Sequence, residues 1–116
     1  MITALTLTTR ETPAGPVIRV RGDLDNESAA QFHTAVDAAP VRPGHVLTID
    51  LADLTFCDSS GITALIAARN RAHALGADIT LTAVPAPTAR TMRVLGLDQI
   101  FPLHPAPDPA DPRPPA

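Results

Sequence analysis

The chain has 116 residues, enough for one domain with a modest core. Hydrophobic residues make up 45% and aromatic ones 3%, with no Trp and no Tyr, so the core must be built mainly from Leu, Ile, Val and Ala, and the stacking platforms of many single-stranded nucleic-acid binders are missing. A net charge of −3 argues against a basic nucleic-acid or membrane footprint, and the single cysteine, Cys57, excludes an internal disulfide and a cysteine-rich metal site.

Residues 2–9 (ITALTLTT) alternate Leu and Thr and predict a strand with one buried face. A turn around Gly15 leads to VIRVRG, residues 17–22, with Arg19 and Arg21 facing outward, and the two strands are expected to pair as a hairpin. Asp25 or Asn26 is then placed to cap a helix from about Glu27 to Ala39. Ala29, Phe32, Val36 and Ala39 mark its inner face, and Pro40 and Pro43 stop it.

HVLTIDL, residues 45–51, is a largely apolar run expected near the centre of a sheet. Residues 52–58 read as a connection containing Leu54 and Phe56. A helix opening at Ser59 or Ser60 runs to about Leu75, with Ile62, Leu65, Ile66 and Ala72 inward and Gly76 as its left-handed stop. DITLTAV, residues 78–84, alternates as a strand. A short helix over 88–95, with Met92 and Leu95 inward, ends at Gly96, and residues 100–103 form a last short strand or edge. From Pro105 the composition turns to Pro, Ala and Asp, which predicts an extended, flexible tail. No basic start followed by an apolar run marks a signal peptide, and no segment has the length of a membrane span, so a soluble, cytoplasmic protein is expected.

The chemistry-bearing stretch is Asp58-Ser59-Ser60-Gly61, directly after the apolar strand and its connection. Two of the three serines of the chain sit there. Asp58 or Ser59 can serve as an N-cap, accepting a free N–H of the first helical turn. A hydroxyl at that place can also be a phosphorylation switch, and the two readings are compatible. His33, His45, His73 and His104 are scattered, none placed as a base, and residues 57–61 lack the first Gly of a nucleophile elbow, so a hydrolase is not indicated. Asp50, Asp53 and Asp58 read as solvated carboxylates rather than a metal cluster, and Cys57 as a small buried apolar residue.

Asp58-Ser59-Ser60-Gly61 resembles the signature of STAS domains, which occur in anti-anti-sigma factors and sulfate transporters. Gly22-Asp23-Leu24-Asp25 is similar to that family's turn before its first helix. Residues 75–81 (LGADITL) resemble its helix exit and following strand, and residues 94–98 (VLGLD) the end of its last helix. The resemblance implies an α/β fold: a mixed sheet of four to five strands with helices packed mainly on one face, over residues 1–104, followed by the Pro-rich tail 105–116.

It further implies an anti-sigma factor antagonist without catalytic residues, cofactor or metal. Unphosphorylated, it would bind a serine-kinase anti-sigma factor and free a sigma factor; phosphorylation of Ser59, with Ser60 as the alternative acceptor, would end the interaction, and a serine phosphatase would reset it. Asp25, Asp58, Ser60, Gly61 and Thr63 are the expected partner-binding residues. Thr63 stands where the family has a second Gly. Two other functions belong to different classes: a STAS accessory subunit of a transporter, and a small nucleotide-binding sensor. No Gly-rich phosphate loop supports the last.

Overall fold

The structure, a computed structural model, describes residues 3–106. The elements are β1 (Thr6–Thr12), β2 (Gly15–Leu24), α1 (Ala29–Ala38), β3 (Val46–Cys57), α2 (Ser59–Ala74), β4 (Asp78–Val84), α3 (Ala86–Val94), a 3₁₀ turn (Leu97–Gln99) and β5 (Leu103–Pro105). They build one five-stranded sheet in the order β1-β2-β3-β4-β5. β1 and β2 are antiparallel, the expected hairpin; every other pair is parallel. Each crossover steps to the next strand in the same direction, so right-handed connections place all three helices on one face.

Strand alternation agrees with that layering. Ile18, Val20, Leu47, Ile49, Leu51, Ile79 and Leu81 are buried and form the core with Phe32 and Val36 of α1, Leu65 and Ala68 of α2, and Met92 of α3. Each such Leu, Ile or Val contributes about 1.5–3 kcal/mol by leaving water. Arg19, Arg21, Thr48, Asp50 and Thr80 occupy intervening positions and leave the opposite face polar. There Asp53 holds Arg19 at 2.6 Å and Arg21 at 3.8 Å.

Gly76 and Gly96 adopt the left-handed backbone expected after α2 and α3, with φ of 76° and 75°. Several expectations differ from the structure, among them the last strand, which runs over Leu103–Pro105 rather than residues 100–103. β1 begins at Thr6, because residues 3–5 instead cross over Gly22: Asp23 N donates to the Thr3 carbonyl and Thr3 N to Asp23 Oδ2, both at 3.0 Å. A Cβ on Gly22 would lie 2.3 Å from the Ala4 carbonyl oxygen, so this crossing needs glycine. α1 begins at Ala29 rather than Glu27, because Asp25 and Ser28 close a turn of their own first.

β3 does not stop at Leu51 but continues to Cys57, held by β2 through the pairs Arg21↔Asp53 to Leu24↔Cys57. Leu95 points outward, 59% exposed; α3 ends at Val94, and Phe101, 1% exposed, is buried instead. Ile66 is half-buried, at the margin of the α2 stripe. The Pro-rich segment starts inside the fold: Pro105 ends β5 and Ala106 N donates to the Val84 carbonyl at 3.0 Å. Residues 107–116, the rest of the expected tail, lie outside the described residues. Among the described residues no helix is long and apolar enough to cross a membrane, and no group of His, Cys, Asp or Glu could hold a metal ion.

Candidate functional site

Parallel strands and right-handed crossovers bring the C-terminal ends of β2, β3 and β4 and the N-terminal ends of the helices to one rim of the sheet. The Asp58 segment lies there. Asp58 has extended backbone (φ −95°, ψ −169°) and its Oδ1 accepts from Gly61 N at 3.0 Å, so it is the N-cap of α2. Ser59, the first helical residue, is exposed, and Ser60 is half-buried. The Asp58 carboxylate occupies one of the unpaired N–H groups of the first turn; those of Ser59 and Ser60 remain at the open helix end. The Ser59 hydroxyl therefore sits beside free donors at the positive end of a 16-residue helix.

Gly61 is buried, and its role is close approach. A Cβ there would lie 2.3 Å from the Leu24 carbonyl oxygen and 2.6 Å from Cys57 Sγ. The first turn of α2 is thereby pressed against the end of β2, and the turn that starts at Asp25 follows directly. Asp25 Oδ1 accepts from the N–H groups of Glu27 (3.0 Å) and Ser28 (3.1 Å) and from the Ser28 hydroxyl (3.1 Å). Ser28 Oγ also donates to the Asp23 carbonyl at 2.8 Å. Asp25 thus shapes its own turn rather than capping α1, whose N-cap, Ser28, makes no side-chain capping bond.

Asp23 ties this turn to β3. Thr55 Oγ1 donates to Asp23 Oδ1 at 2.6 Å, and this bond, with the one from Thr3 N, holds the Asp23 carboxyl below its ordinary pKa. Thr63 is exposed one helical turn after Ser59, and its Oγ1 donates to the Ser59 carbonyl at 2.9 Å. The residue that replaces the second Gly therefore adds its methyl and hydroxyl to the same face as Ser59. Cys57 is half-buried rather than fully buried; burial, then the neighbouring Asp58 charge, pushes its thiol up to about 12, which favours the protonated form.

Asp25, Asp58, Ser59, Ser60, Gly61 and Thr63 are all carried by this one rim: α2 holds the last four, Asp58 caps it, and Gly61 packs against the residue preceding Asp25. Asp50 and Asp53 are kept apart from it in local contacts, with Asp50 accepting from Ala52 N and Asp53 paired with arginines. The histidines are exposed or half-buried and do not converge. The rim also exposes an aromatic ring, from a residue that reads in the sequence only as part of a connection. Phe56 is 53% exposed, whereas the other two phenylalanines, Phe32 and Phe101, are buried. The signal lay in the scarcity of aromatics: only three Phe, one of them three residues before the serine.

The family model described as "Mlab, STAS domain" matches residues 7–104. Among solved structures the chain is similar to an anti-sigma factor antagonist from Mycobacterium paratuberculosis, with 26% identity, a TM-score of 0.68, and 88% of this chain and 86% of that one covered. The Bacillus cell fate determinant SpoIIAA in its phosphorylated form shares 22% identity at a TM-score of 0.59, over 86% of this chain and 90% of that one. A sulfate transporter family protein from Wolinella succinogenes shares the fold at 13% identity and a TM-score of 0.65, over 78% and 73%. No curated protein sequence matches significantly. With the sheet order, the capped serine and the family match in agreement, the chain belongs to the STAS domain family.

Proposed function

We propose that this protein is an anti-sigma factor antagonist, a regulator rather than an enzyme, whose unphosphorylated form binds a serine-kinase anti-sigma factor and thereby releases a sigma factor. Phosphorylation of Ser59 by that kinase ends the interaction, and a serine phosphatase restores it. The reading rests on one observation above all: Ser59 is exposed at the first position of α2, directly after the capping Asp58. The likeness to the Mycobacterium paratuberculosis antagonist supports it.

A phosphate there adds roughly two negative charges beside the free N–H groups of the helix, an environment that tolerates them. Asp58, on the adjoining residue, opposes the added charge. The switch then acts at the contact surface, through bulk and charge, with Asp25, Asp58, Ser60, Gly61 and Thr63 forming or shaping the surface the partner meets. Action in the cytoplasm follows from such partners.

The test is intact-mass spectrometry of the protein from its own host, with site mapping. One phosphate on Ser59, lost in Ser59→Ala, supports the switch. No phosphate under any growth condition, nor after incubation with the host's candidate kinases and ATP, sinks it. A second reading, a constitutive STAS subunit of a transporter, draws on the shared fold of the sulfate transporter family protein. It predicts that Ser59→Asp leaves partner binding unchanged.

A further inference from the structure

Arg19 and Arg21 stand on the sheet face opposite the helices, one at each end of a two-residue step along β2. Directly across from them on β1 are Thr8 and Thr6. The four side chains line a concavity of about 150 Å³. All four offer N–H or O–H donors, and both guanidinium groups are permanently charged.

A bulge in the neighbouring strand sets the arginines in place. From Arg19 to Arg21 β2 advances two residues, while β3 advances three, from Asp50 to Asp53. Inside the bulge Asp50 Oδ1 accepts from Ala52 N at 3.0 Å. The extra residue aims Asp53 at both arginines. Its Oδ2 accepts from Arg19 Nε at 2.9 Å and lies 2.6 Å from Arg19 Nη2 and 3.8 Å from Arg21 Nη2. One carboxylate thus orients two guanidinium groups from the β3 side, the threonines close the β1 side, and a net positive charge is left over. Groups carried on strands and held by a second layer of contacts are what a preorganised anion site needs.

A second concavity, about 280 Å³, adjoins the first and shares Thr8 and Arg19 with it. Arg10, Val17 and Asp50 are among its other walls. Arg10 is in no ion pair among the described residues, and Asp50 has a second carboxylate oxygen besides the one that serves Ala52. The described lining of both spaces holds no aromatic ring, so a nucleotide base would find nothing to stack on. The pair suits a charged head in the first space and a small hydroxyl-bearing body in the second.

We propose that this face binds a small phosphate monoester of a polyol or sugar. Arg19, Arg21, Thr6 and Thr8 take the phosphoryl group; Arg10 and Asp50 take the hydroxyl groups of the body. A phosphoryl group carries roughly two negative charges near neutral pH and three acceptor oxygens, enough to engage both guanidinium forks and a threonine hydroxyl together. Asp53 is a positioning residue: it touches the arginines and not the ligand. The site uses neither Ser59 nor any residue of α2, so it goes beyond the function proposed above and does not depend on it.

The test is titration of the full 116-residue chain with glucose 6-phosphate and with glycerol 3-phosphate, followed by backbone amide spectra at constant ionic strength. Inorganic phosphate and glucose are separate arms. The expected result is saturating shifts confined to residues 6–10, 17–21 and 50–53, about tenfold weaker binding of inorganic phosphate, which lacks the body contacts, and none of glucose. Arg21→Gln, at a side chain 67% exposed, should weaken the esters about tenfold, the worth of one charge-assisted hydrogen bond, while Arg90→Gln on α3 should change nothing. No saturating shift with either ester overturns the proposal. So do shifts spread over arginines elsewhere, and an affinity that Arg21→Gln leaves unchanged. Inorganic phosphate binding as tightly as the esters also overturns it, since the second concavity would then hold nothing. Whether Ser59 accepts a phosphate is decided separately by the mass measurement.

Discussion

Gly61 and Leu24 touch through backbone alone: a Cβ at position 61 would stand 2.3 Å from the Leu24 carbonyl oxygen, closer than any side chain can come. The start of α2 and the end of β2 are held together by the absence of an atom. Gly61→Ala must push the two apart. Overpacking of this kind costs about 1–3 kcal/mol, or a fall in Tm of about 4–8 °C per kcal/mol in a domain of this size. Calorimetry of the purified variant checks it, and an unchanged Tm would show that the turn yields freely.

Asp58 holds the first turn of α2 through Gly61 N. Asp58→Ala should cost about 1 kcal/mol, the ordinary worth of an N-cap, while Asp58→Asn keeps the acceptor and should cost much less. Urea midpoints for the two variants separate capping from charge. Equal losses would show that the negative charge, not the hydrogen bond, is what the helix end uses.

A phosphate on Ser59 should leave the fold nearly as stable as before. The helix dipole favours the added charge by about 0.3–1 kcal/mol, and the adjacent Asp58 opposes it. Melting curves of the two forms should nearly coincide. A large drop in Tm on phosphorylation would mean that the switch works by loosening the domain rather than by altering its surface.

The Asp23 carboxyl is held below the ordinary aspartate range, first by the Thr55 hydroxyl and then by Thr3 N. A lowered folded-state pKa means that the ionised form is the one the fold favours. Its contribution is present above the unfolded value, about 3.9, and is lost as pH falls through the lower, folded value. In Thr55→Val, Asp23 should titrate at higher pH than in the native protein, and the acid side of the stability profile should change at the corresponding pH. Carbon-detected titration of the Asp23 carboxyl reads this directly; an unmoved midpoint would assign the shift to the Thr3 contact.

Cys57 should be chemically quiet. With its thiol pushed up to about 12 by burial and the Asp58 charge, the thiolate is scarce at pH 8, so alkylation should run more than about tenfold slower than at a free cysteine. Modification by iodoacetamide at the rate of a free thiol would show that residues 54–57 open readily.

The sheet was legible in the sequence where alternation was strong. LTLTT, VIRVR and DITLTAV each place apolar side chains on one face, and two glycines mark helix ends where the backbone turns left-handed. The serine segment was legible because a capping pattern follows an apolar run. The extension of β3 was not, since Ala52, Asp53 and Thr55 look like a loop; they become strand only because β2 offers hydrogen bonds beside them and Asp23 and Arg19 take up their polar side chains. Leu95 was misplaced for a related reason: helical spacing points it inward, but α3 stops one residue earlier and Phe101 returns to the core. The pairing of Gly61 with Leu24 depends on residues 37 positions apart, which no local pattern reveals.

The crossing of residues 3–5 over Gly22 has a practical consequence. Thr3 is fastened to Asp23, and Ala106 to Val84, so both ends of the described chain emerge on the rim that bears Ser59. The opposite rim carries the connecting loops at residues 13–14, 39–45 and 75–77 and the connection from α3 to β5, with bonds such as Gly44 N to the Gly76 carbonyl between them. A tag or carrier protein fused at either end will therefore crowd the surface whose binding is to be measured. Attachment through the loop at Gly44, whose Cα faces open space, will leave that surface clear.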